Sequence, residues 1–110
     1  MLPLTTGIPV TITPDAAARV ERLGMQKELQ TMIDHTRETV PGLVEIVVDT
    51  WDDPSEPGEP HVFLVGWRTG QPSSTFEVED RWGRWFVRAF PPDVLRWFSF
   101  EILYRDEHGR

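Results

Sequence analysis

Cysteine is absent from this chain, and that absence excludes more chemistry than any residue present suggests. Disulfides, thiolate zinc sites, iron–sulfur ligation by cysteine and cysteine nucleophiles all go with it. No stretch approaches the roughly 18 apolar residues that a membrane-spanning helix requires. The opening Met1-Leu2-Pro3-Leu4-Thr5-Thr6-Gly7 lacks both the basic start and the long apolar run of a secretory signal. These absences point to a soluble cytoplasmic protein with no membrane partner. Nothing in the sequence calls for a cofactor.

What is present fits one domain. With 110 residues and 39% hydrophobic content, the chain is long enough to close one core without staples. Residues 1–110 are therefore read as a single α+β domain, with 1–7 and 106–110 expected to fray. The net charge of −7 is unevenly spread. Residues 1–60 carry eleven acids and four bases, while residues 61–110 hold seven of each. An acidic chain repels phosphate backbones on average, which argues against nucleic acid as a partner.

Ile8 to Thr13 alternates apolar and polar positions as a half-buried strand does, with Pro9 suited to a sheet edge. Thr13-Pro14-Asp15 is a helix start: a capping hydroxyl, a proline at the first helical position and an acid at the positive end of the dipole. Two apolar stripes that point in different directions follow, with Gly24 between them. Helices are expected at about 14–23 and 25–39, the first stopped by Gly24 in a left-handed conformation. Residues 12–20 resemble the opening of A-type iron–sulfur carrier proteins. Those proteins use cysteines, so nothing of their chemistry carries over to this chain.

Strands are expected at 43–50, 61–68 and 98–105, with an edge strand at 8–13. Asp52 to Pro60, all acids and turn formers, reads as an exposed hairpin loop, and residues 69–73 as a second loop. A short helical turn runs from Pro91 to Trp97. Residues 74–90 read either as one helix opened by a Ser74–Glu77 capping box, or as a helix at 74–83 followed by a strand at 84–90. The second is preferred, because Gly83 is central and Arg84-Trp85-Phe86-Val87 has strand character. The resulting fold is a small antiparallel sheet of three to five strands, covered on one face by the two N-terminal helices. Its inward set is Val44, Ile46, Val48, Phe63, Val65, Trp67, Phe100, Ile102 and Tyr104, met by Leu29, Met32 and Ile33.

Catalytic signatures are sparse. His35, His61 and His108 are far apart, and none has a second histidine at a metal-ligand spacing. Ser55, Ser73, Ser74 and Ser99 lie in no nucleophile elbow, and no glycine pattern cradles a phosphate. Asp49, Asp52, Asp53, Glu56 and Glu59 match no calcium-loop order and read as a solvated run. Glu45 and Asp49 share one side of their strand, where Arg68, or Glu101 with Arg105, could join them; cross-strand ion pairs on a wet face use the same residues.

The least ordinary feature is Arg81-Trp82, Arg84-Trp85, Arg88 and Arg96-Trp97. Packing alone accounts for such residues, with the tryptophans inside and the arginines paired to nearby acids. Arginine beside aromatics also anchors protein interfaces and, less often, single-stranded nucleic acid. Five tryptophans are more than so small a core readily encloses. The leading expectation is a non-enzymatic module that binds a protein partner or itself through these seven residues. A small hydrolase or metal-dependent enzyme built on carboxylates with His35 or His61 is the alternative.

Overall fold

Thr13 turns the chain from its first strand into its first helix. Its hydroxyl accepts from the Ala16 amide at 3.2 Å and donates to Asp49 at 3.0 Å, so the cap also ties this corner to the next strand. The computed structural model describes residues 8–69 and 75–105. In chain order these form β1 (Val10–Ile12), α1 (Pro14–Leu23), α2 (Gln26–Thr39), β2 (Leu43–Trp51) and β3 (His61–Arg68). Then come α3 (Thr75–Ala89), α4 (Pro92–Trp97) and β4 (Phe98–Tyr104). Gly24 stops α1 at φ 70°, in the left-handed conformation its position requires.

The α+β class is as the sequence implies, and the sheet is mixed. Its order is β1-β2-β3-β4, with β1–β2 and β3–β4 parallel and only β2–β3 antiparallel. The connections explain this difference from the wholly antiparallel expectation. The 52–60 loop joins β2 to β3 as a hairpin, whereas helices fill both other connections, and helical crossovers permit parallel neighbours. The fraying expected of 1–7 and 106–110 and the Ser74 cap lie outside the described residues.

Two local expectations are corrected. There is no strand at 84–90: α3 runs unbroken through Gly83 to Ala89. Its inner stripe of Val78, Trp82 and Phe86 is buried. Burying each such side chain contributes about 1.5–3 kcal/mol, against roughly 1 kcal/mol lost to one helical glycine. Pro91 restrains only Phe90, which lies just past the helix. In β3 the inward side is Val62, Leu64 and Gly66 rather than Phe63, Val65 and Trp67, because Leu64 sits opposite Val48 and Gly66 opposite Ile46. The run Val62 to Trp67 contains no polar side chain, so alternation alone has nothing to choose its face.

Ile46, Val48, Leu64 and Ile102 form the sheet side of a single core. It is closed by Ala16 and Val20 of α1, Met32 and Ile33 of α2, and Trp82 and Phe86 of α3. The opposite face carries Val47, Phe63, Val65, Trp67 and Leu103 among Glu45, Asp49, Ser99 and Glu101. There Arg105 lies 4.6 Å over the Trp67 ring and pairs with Glu45 at 3.0 Å. Among the described residues, no helix is long and apolar enough to cross a membrane.

Candidate functional site

Helical geometry divides the Arg/Trp segment among different surroundings. Positions 78, 82 and 86 of α3 face the core. Trp82 is only 3% exposed, stacks on Phe100 at 4.1 Å and donates its indole N–H to Thr36 at 3.0 Å. It is a packing residue in the isolated chain.

Arg81, Trp85 and Arg88 lie on the flank of α3 that meets α2. Trp85 stacks on His35 with ring centroids 3.7 Å apart and planes 6° from parallel. Around that stack is a cleft of about 240 Å³, lined by His35, Thr39, Arg81, Trp82, Trp85 and Arg88. Burial holds the His35 imidazole below its ordinary pKa, with Glu38 acting weakly in the other direction. Arg37, Arg84, Arg96 and Arg105 each form ion pairs, whereas Arg81 and Arg88 form none among the described residues.

The outer flank of α3 presents Phe76, Asp80, Gly83, Arg84 and Val87. Phe76 is 76% exposed and Val87 60%, three helical turns apart on one side. Between them Arg84 pairs with Asp80 at 3.0 Å. A Cβ at Gly83 would meet nothing within 4 Å, so no neighbour among the described residues requires a glycine there. These residues border a shallow depression of about 510 Å³ whose other wall is Phe100 at the edge of β4. That edge is guarded. The Arg105 amide points to Arg68 of β3, so by alternation the Ile102 amide points outward, and it donates to the Glu79 carboxylate at 2.6 Å.

Arg96 and Trp97 lie elsewhere, at the end of the sheet that carries the acidic loop. His61 bonds Glu56 at 3.1 Å, and Glu56 also accepts from Arg96 at 3.4 Å. Arg19 donates to the Pro60 carbonyl at 2.9 Å, and both Arg19 and Arg96 lie within 4.8 Å of the Trp97 ring. The loop is therefore clamped to the sheet rather than merely solvated. Donor atoms of Asp53, Glu56 and His61 come within 4.8 Å of one another. The Ser55 amide and hydroxyl hold the Asp53 carboxyl below its usual range. Beside this cluster, Trp51 is 52% exposed and is the most exposed tryptophan of the described residues.

The structure thus separates the seven residues singled out in the sequence. It brings Arg81, Trp82, Trp85 and Arg88 together at one cleft and leaves Arg84 on the outer flank. Arg96 and Trp97 form part of the loop clamp. Sequence reasoning missed His35 as the partner of Trp85, and it missed Phe76 and Val87. The last two were accessible from the helical wheel of 75–89, had that segment been read as one helix. No protein-family model, curated protein or solved structure matches the chain.

Proposed function

We propose that this chain is a non-enzymatic interaction module that pairs with a second copy of itself along the outer flank of α3. The observation carrying this reading is the pairing of exposed Phe76 and Val87 about a glycine that no contact among the described residues requires. Charge names the occupant. The outer flank carries Asp80 toward the N-terminus of the helix and Arg84 toward its C-terminus. Two such helices laid antiparallel match acid to base at both ends. Phe76 of each copy then falls beside Val87 of the other. That is the self-complementarity a two-fold contact needs, and Gly83 near the axis lets the backbones approach closely.

The apolar area available is small, which places this contact among weak interfaces of under about 1,200 Å² in total. Sedimentation equilibrium from about 5 to about 500 µM spans the affinities expected of it. The wild type should shift from monomer to dimer across that range. Val87→Asp should remain monomeric. Gly83→Ala should weaken pairing while raising thermal stability, because alanine is the better helix former by roughly 0.5–1 kcal/mol. A wild type that is monomeric throughout ends the proposal. The cytoplasmic setting inferred above, supported by the missing cysteine, belongs to the same reading.

The hydrolase alternative gains one observation, the His61–Glu56 contact beside Asp53 and a depression of about 470 Å³ that includes Ser99. A carboxylate that orients an imidazole is one requirement of general base catalysis. Here, however, Glu56 takes Nε2 and shares itself with Arg96. Ester hydrolysis lost in His61→Gln would support this second reading, and equal turnover in both would remove it.

A further inference from the structure

We propose that the cleft between α2 and α3 is a binding site for a small aromatic carboxylate. Its rim carries Arg81 and Arg88, seven residues apart on one flank of α3, with Trp85 between them and His35 stacked on that indole.

Three features of the cleft select the ligand. Arg81 and Arg88, neither in an ion pair among the described residues, border the same cleft beside Trp85 and so put two available guanidiniums at one opening. Planar guanidinium matches a carboxylate through two parallel hydrogen bonds, which selects an oxyanion over a cation. The walls between the arginines are indole and imidazole, which suit a flat apolar body. A compact phosphate would engage the arginines and leave those walls unused. The volume, about 240 Å³, falls below the roughly 300–1,000 Å³ of sites for drug-sized ligands. It suits one ring with its carboxylate. His35, kept neutral by burial, adds a polar edge without a third positive charge.

The site lies on a different flank of α3 from Phe76 and Val87, so it stands or falls independently of self-association. The test is an NMR titration of the intact chain, following the Trp85 indole and His35 ring signals. The probes are sodium benzoate, benzamide and inorganic phosphate. Benzoate should give saturable shifts at both rings. Benzamide, the uncharged analogue, and phosphate, the anion without a ring, should each bind at least tenfold more weakly. Arg81→Gln and Arg88→Gln, both at exposed positions, should each weaken benzoate about tenfold while leaving circular dichroism unchanged. The assignment is overturned if benzoate does not saturate, if benzamide or phosphate binds as well as benzoate, or if both arginine variants bind it like the wild type.

Discussion

Trp82 donates its indole proton to Thr36 across the α2–α3 contact, and the same threonine hydroxyl donates to the Met32 carbonyl at 2.7 Å. One buried hydroxyl thus serves as acceptor for one helix and donor within another. That bond lets the indole enter the core with its N–H satisfied. This contact fixes the rotation of α3 about its own axis. It therefore decides which residues of the helix face α2 and which face outward.

Replacing Thr36 by valine keeps the shape and removes the acceptor, leaving a buried N–H unsatisfied. The expected loss is about 1–3 kcal/mol, and Thr36→Ser, which keeps the hydroxyl, should lose less. Urea denaturation followed by tryptophan fluorescence measures both. Equal losses would show that the methyl group, not the hydrogen bond, matters at this position.

Glu79 guards the outer edge of β4 through the Ile102 amide. Glu79→Ala should expose that amide, speed its hydrogen exchange at least tenfold and cost about 1.5 kcal/mol, as expected of a charge-assisted bond. A freed edge also invites strand pairing between molecules, so light scattering should rise with concentration in the variant. Unchanged exchange at Ile102 would contradict this role.

His35 gives a pH dependence of definite sign. Burial lowers its pKa in the folded chain, so as pH falls through about 6.5 the unfolded chain takes up a proton first. The contribution of His35 to stability is therefore complete above that value and declines below it, until the folded ring also protonates. The stability difference between wild type and His35→Phe should shrink as pH falls from neutrality toward 5. An NMR titration placing His35 at or above 6.5 would contradict the assignment.

Gly24 and Gly42 both sit at positive φ, yet substitution should cost different amounts. A Cβ at Gly42 would lie 2.9 Å from the Thr69 carbonyl oxygen, whereas at Gly24 it would meet nothing within 4 Å. Gly24→Ala should cost roughly 1–2 kcal/mol, the ordinary left-handed penalty. Gly42→Ala should cost more, since backbone must also move. Thermal melts of the two variants decide it.

Much of the frame was legible in the chain. Thr13-Pro14-Asp15 and Gly24 each act through local geometry alone, so the bounds of α1 follow from a few neighbours. The inward face of β3 was not legible, because Val62 to Trp67 is apolar at every position and only pairing with β2 chooses between the two sides. Gly83 misled for a related reason: its local cost is real, but the core contacts of Val78, Trp82 and Phe86 outweigh it. The sites suffered most. The His35–Trp85 stack joins residues fifty apart in the sequence, and no spacing rule announces such a meeting. Residues 81–97 do not share one surface, because a helix sends neighbouring arginines to different flanks.

The claim on which the functional account rests is that two copies meet along α3 near Gly83. A chain without cysteine allows a direct measurement: disulfide trapping with a single cysteine introduced by Gly83→Cys, compared with Gln26→Cys on an exposed part of α2. Under mild oxidation the first variant should form a covalent dimer quickly and nearly completely, and the second should not. Equal trapping at the two positions, or none at position 83, would contradict the account.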